Sequence, residues 1–460
     1  MNQAVNQAVN RVVNRVVNTE WTLHEAAESL VATLVEEACE RNADLARLAA
    51  RLESGTSTRL HDWLDHLGGP VDPGRLSECG YIEGHGTRPG VWRHPGAQLP
   101  AIVPQRGRAV ALRVDDSAAF AAAHASDRGV EGAPLSGLRR AVVSDGSGVA
   151  LSGVERRSWA CGVQPESFDG ERSARAYAAW RLWAERPRTW DGADAVERLV
   201  GTAERMTELI GADLAGSYAL EIERRYWQRR NTAAVLQHAR QDRLGLGWGN
   251  NDHHTFRSGR AAFYPLMRVF GALGFRLRER FYAGAEAGWG AQVLEHPGNG
   301  GVIFADVDLA PAEVEIDFAG GALAPREELG TVGLWCALHG ESILVAGMHH
   351  LEGQFDFDRL RDDLALLGVG HMRPFSDFAH LRQAFTEAEH WPVPRERLAR
   401  LTAAGLLDAA KAEEFAANGA PGSHLENLAR RGGFKGFNQT NVSATMRATD
   451  PRRYQGAFNR

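Results

Sequence analysis

Apolar residues recur at helical spacing from Thr22 to about Leu52, through Leu30, Leu34, Leu45 and Leu48, which predicts an N-terminal helix. Gly- and Pro-rich turns follow around Gly68–Gly74 and Gly84–Gly96. Short β-like runs come next at Ala109–Val114 and Arg140–Val143, with a small helix at Ser117–His124 between them. The segments Arg172–Ala184 and Ala193–Ile210 are strongly helical and are separated by Pro187–Gly192. A third helix is expected from about Tyr218 to Gln241, stopped by Gly245, Gly247 and Gly249. Beyond it the texture turns β-rich, at Asp252–Arg257, Phe275–Phe281, Gly300–Val307, Val314–Phe318 and Ser342–His350, with helices at Ala261–Leu273 and Phe357–Leu367. Strand–helix–strand alternation of this kind predicts an α+β fold, with a curved mixed sheet and flanking helices in the C-terminal half. Four segments are expected: a low-complexity extension at 1–20, an α+β module at 21–170, a helical connector at 171–245 and the chemistry-bearing domain at 246–460.

A chain of 460 residues exceeds one ordinary core. Its net charge of −6 gives no electrostatic reason to expect nucleic acid or an anionic membrane surface. No stretch reaches the roughly 20 apolar residues that span a bilayer. Cys39, Cys79, Cys161 and Cys336 form no CxxC pair, which argues against a cysteine zinc site and a disulfide scaffold and makes a reducing cytoplasm the expected compartment. Residues 1–18 read as four tetrads beginning with Asn, too polar for a signal peptide core. His61, His66, His85 and His94 match no metal-ligand spacing and read as surface or structural residues. Homo-oligomerisation is left open.

Three polar segments carry candidate chemistry. In Asn251–Arg257 six of seven residues are polar, which suits a strand only if it lines a polar cavity. On such a strand His253, Thr255 and Arg257 share one face, placing a metal-ligating imidazole beside an anion-binding guanidinium. Met348-His349-His350 closes an apolar run and offers either histidine as a ligand. In Phe385–Trp391, an extended chain would point Glu387 and Glu389 the same way beneath aromatic cover. Two histidines and a carboxylate from separate strands form the facial triad of non-haem iron(II) oxygenases, which leaves positions open for a chelating 2-oxo acid and for dioxygen. No GxSxG, P-loop or HExxH competes with this set.

Together these segments resemble the 2-oxoadipate dioxygenase/decarboxylase family, or hydroxyglutarate synthases, a distant branch of the vicinal oxygen chelate metalloenzymes. The resemblance runs from Arg230–Leu236 through Asp252-His253-His254-Thr255-Phe256-Arg257, Met348-His349-His350 and Phe385-Thr386-Glu387 to Arg430–Phe434. It implies one iron(II) held by His253, His350 and Glu387, with Arg257 gripping the substrate. It further implies oxidative decarboxylation of a small 2-oxo acid by dioxygen, 2-oxoadipate giving 2-hydroxyglutarate. Glu352 departs from the family, which tends to carry a hydroxyl residue there. The alternatives are a metal-dependent lyase or isomerase on the same scaffold, or a metal-free small-molecule binding protein.

Overall fold

The computed structural model describes residues 21–189, 191–313, 316–438 and 449–452, so the extension at 1–20 lies outside the described residues. The N-terminal helix expected as one piece folds as two, Glu25–Arg41 and Ala43–Thr56. Asn42 breaks them: its backbone is extended, and its side-chain oxygen accepts from the amides of Asp44 and Leu45, capping the second helix. Asn231 likewise divides the helix expected at Tyr218–Gln241 into Ala212–Gln228 and Thr232–Asp242, capping the latter through the amide of Ala234.

The fold is α+β, built on two mixed sheets, the second curled as a half-barrel. The first contains β1 (Leu64–Gly69), β2 (Ile82–Glu83), β3 (Trp92–Arg93), β4 (Ala101–Pro104), β5 (Arg108–Arg113), β6 (Val130–Glu131), β7 (Leu138–Ser144) and β8 (Val149–Arg156), in the order β2-β3-β4-β1-β5-β8-β7-β6. The second contains β9 (Asn251–Arg257), β10 (Arg276–Tyr282), β11 (Trp289–Glu295), β12 (Val302–Asp308), β13 (His350–Gln354), β14 (Ser376–Phe378), β15 (Leu381–Phe385), β16 (Glu389–Trp391) and β17 (Ala420–Arg430). Its order is β10-β11-β12-β9-β13-β17-β15-β14, with β16 paired to β17.

These orders disclose a fourfold internal repeat. Each unit is a strand, a helix and then further strands, with its first and last strands paired in parallel: β1 with β4, β5 with β8, β9 with β12 and β13 with β17. Within each sheet the two units join through their antiparallel first strands, β1 with β5 and β9 with β13. A parallel pair needs a crossover, and each unit's helix supplies it. The central strands are therefore always the first and last of a unit, and these carry the buried polar residues.

Two strand expectations are corrected. In the run Val314–Phe318, Val314 and Glu315 lie outside the described residues and 316–318 form no strand. The apolar segment from Ser342 is not a strand; it turns, and the strand begins only at His350. Side chains satisfy the carbonyls that a sheet would otherwise have paired. Arg186 donates to Ile343 O at 2.9 Å, Arg188 to Leu344 O at 3.0 Å, and the Tyr226 hydroxyl to Val345 O at 2.8 Å.

Both arginines are held by Glu223, fully buried among Arg186, Arg188 and the Trp183 indole. Glu223→Ala would strand two guanidinium groups away from water, so urea unfolding is expected to show a loss of about 3–5 kcal/mol. A loss under about 1 kcal/mol would show that the network does not hold this segment.

Candidate metal centre

The centre of the second sheet brings together His253 from β9, His350 and Glu352 from β13, and Glu426 from β17. Register does this directly: His350 pairs with Thr255 across β9, and Glu352 pairs with Glu426 across β17. Both imidazoles address one oxygen, with His253 Nε2 at 2.8 Å and His350 Nε2 at 2.7 Å from Glu352 Oε1. His350 Nε2 also lies 3.5 Å from Glu426 Oε2. Ligand atoms of His253, Glu352 and Glu426 lie within 4.8 Å of one another, a group that could hold a metal ion.

The charge balance favours a cation here. All four side chains are buried, and neither carboxylate has a Lys or Arg ion-pair partner among the described residues. Burial pushes both carboxyls well up, and their mutual repulsion adds to this for Glu352. Burial also lowers both imidazoles, keeping them neutral and able to donate a lone pair. Oε2 of Glu352 is buried with no hydrogen-bond partner among the described residues. A divalent ion would supply the missing positive charge and hold the carboxylates ionised, so the donor set fits one.

Surrounding groups fix the ligands. Nδ1 of His253 lies 2.8 Å from Asp252 Oδ2, and Arg430 in turn grips Asp252 with two bonds of 2.9 and 3.0 Å. That clamp holds the Asp252 carboxyl far below its usual range and leaves His253 Nε2 as the free lone pair. Thr255 donates to Glu352 Oε1 at 2.8 Å, and Gln383 donates to Glu426 at 2.8 Å. Phe304, Phe385 and Phe437 pack against the two imidazole rings and keep the walls apolar.

Arg257 extends from the same face of β9 as His253. It is fully buried, its Nε is 3.6 Å from Asp306 Oδ2, and its Nε and Nη1 have no hydrogen-bond partner among the described residues. Asp306 lines the same cavity as His253, and burial raises its carboxyl to about 7.

The carboxylate expected at Glu387 is a correction. β15 ends at Phe385, the Glu387 amide bonds Gly370 O at 2.9 Å, and its carboxylate lies over Gly370, outside the group just described. The alternation that would have carried it to the site stops two residues short. Glu389 is engaged too, accepting from the amide of Thr232 at 2.9 Å. His349 Nδ1 meets His350 Nδ1 at 2.6 Å, and the His349 ring packs edge-on against Trp335.

The first sheet provides an internal control. His66 Nδ1 lies 2.8 Å from Asp65, which Arg156 grips with two bonds of 2.7 Å, reproducing the Asp252–His253–Arg430 arrangement strand for strand. Yet Ala111 pairs with Ser152 where the second sheet pairs Glu352 with Glu426. The Asp–His–Arg clamp is thus common to both sheets, while the carboxylates are confined to one.

No family model and no curated protein matches the chain. Among solved structures it is similar to a triple mutant of 4-hydroxymandelate synthase from Streptomyces coelicolor, at 13% identity, 85% coverage of this chain, 99% of that chain and a TM-score of 0.29. Methylmalonyl-CoA epimerase from the same organism gives 16% identity, 39% and 96% coverage and a TM-score of 0.21. The protein YdcJ from Shigella flexneri, which includes domain DUF1338, gives 12% identity, 58% and 83% coverage and a TM-score of 0.23. At these scores the functional reading rests on the chain's own geometry.

Proposed function

We propose that the chain is a non-haem iron(II) oxygenase in which His253, His350 and Glu426 hold the metal, and that it oxidatively decarboxylates a small 2-oxo acid. The observation that carries this reading is the convergence of two neutral imidazoles and two buried carboxylates on one point, with no Lys or Arg among the described residues to pair the carboxylates. Bound iron(II) would supply Lewis acidity and open positions for a chelating 2-oxo acid and dioxygen. Asp252 keeps His253 oriented, the phenylalanine walls exclude water, and Arg257 offers free donors to a substrate carboxylate. The balance is 2-oxo acid plus dioxygen to carbon dioxide plus the hydroxy acid shortened by one carbon. By the sequence resemblance, 2-oxoadipate is the substrate to try first.

The test is anaerobic iron(II) reconstitution followed by oxygen uptake with a panel of 2-oxo acids. Uptake that depends on one of them, with matching carbon dioxide release, is the expected result. A metal-loaded protein that takes up no oxygen with any of them would end this reading. Glu352 favours a second one, since an extra carboxylate at the metal is a suitable base for non-oxidative lyase or isomerase chemistry. That chemistry would appear as solvent deuterium entering the substrate without oxygen consumption. Failure to bind any divalent metal would leave a small-molecule binding protein.

A further inference from the structure

A second cavity, of about 240 Å³, lies between the two sheets and is lined by residues of both. Strand β9 divides it from the metal centre: His253 belongs to the centre, whereas Asp252 and His254 line this cavity. Its walls are rich in charge, and almost every carboxylate in them already has a close base. Asp65 is gripped by Arg156, Asp252 by Arg430, Glu221 by Arg157, and Glu295 by Lys435 at 2.7 Å. Glu155 accepts from Arg139 and Arg157, and Asp62 is held by Arg59. Asp115 takes Arg224 at 3.3 Å and the amide of Trp248 at 2.9 Å.

Two cations are left over. The Arg113 Nε has no hydrogen-bond partner among the described residues, and its ion-pair contact, Asp65 Oδ1 at 3.8 Å, accepts from Arg156 at the shorter distance of 2.7 Å. Arg93 has a backbone carbonyl, His85 O at 3.2 Å, and no carboxylate within ion-pair distance among the described residues. Its guanidinium lies over the Trp159 ring at 4.6 Å, which holds the plane in place.

We propose that Arg93 and Arg113 form a binding site for a small, multiply charged oxyanion, a phosphate group or a short dicarboxylate, in the cavity between the two sheets. Planar guanidinium forks suit such oxygens, and a cavity of about 240 Å³ has room for a small metabolite. Burial lowers the basicity of both guanidinium groups, with Arg156 and Arg113 adding to this at Arg93, and Arg156 and Arg224 at Arg113; a bound anion would offset it. The site is separate from the proposed metal centre and stands whether or not that centre binds iron.

The experiment is thermal unfolding of the full chain in inorganic phosphate or succinate up to 20 mM (about the upper range of metabolite anions), at ionic strength held constant with sodium chloride. A ligand in excess of its Kd should raise the Tm of the natural sequence by roughly 2 °C or more. The rise should disappear in Arg113→Gln, with Arg93→Gln carrying the test if that variant does not fold. The two arms distinguish phosphate from dicarboxylate. No rise above the chloride control in either arm, or an equal rise in the variants, would overturn the proposal.

Discussion

His253→Ala and His350→Ala are each expected to abolish stoichiometric metal binding, measured by metal analysis after reconstitution and desalting. Each removes an imidazole from a site where both converge on the same Glu352 oxygen. Glu426→Ala should do the same, because Glu426 is one of the two carboxylates that the described residues place on the metal-facing side of the imidazoles, where Glu352 alone would remain. Glu387→Ala should keep its full complement of metal, since its carboxylate lies over Gly370. Asp252→Ala keeps all the ligands but frees the His253 ring, and its metal affinity should fall by roughly 10–100-fold. Full occupancy in His253→Ala, or loss of metal in Glu387→Ala, would refute the ligand set.

The α+β class and the curved mixed sheet were legible because β-like runs and helical segments interleave along the C-terminal half, and the helices keep their periodicity. The polar run of β9 likewise announced His253 and Arg257 as neighbours on one face. The fourfold repeat was not legible, because strands as short as Ile82–Glu83 and Val130–Glu131 leave no pattern to count. Glu426 was missed for a related reason. Pro421 and Gly422 open β17 and read as a turn, although that strand runs through them and is buried along its length.

Glu352 was seen only as a departure from a family pattern, yet its oxygen lies where both imidazoles point. The reading of Ser342–His350 as a strand failed because hydrophobicity reports burial, and burial does not require a sheet. Arginines and a tyrosine from distant segments satisfy that backbone, and no local sequence pattern records them. The clamp Asp65–His66–Arg156 shows the converse: a motif can persist in a sheet that lacks the carboxylates.

Arg257→Ala is expected to lower kcat/KM for the active 2-oxo acid by a factor on the order of 10 to 10³ while leaving metal content and folding intact. A buried guanidinium with two nitrogens lacking hydrogen-bond partners among the described residues is poised to take a carboxylate, which would complete its bonding. Folding should survive because of Asp306, which among the described residues is the one acid within ion-pair distance of Arg257. Its carboxyl already titrates near 7 through burial, with Arg257 opposing the rise, so once the guanidinium is gone it takes up a proton and leaves no buried charge. Arg257→Lys should recover little activity, since an ammonium cannot make a planar two-pronged contact. The measurement is oxygen uptake against substrate concentration, with metal content and Tm recorded for each variant. An unchanged kcat/KM in Arg257→Ala would remove the clamp from the mechanism. Loss of fold or of metal would instead make Arg257 a structural partner of Asp306, and the substrate carboxylate would then need a different receptor.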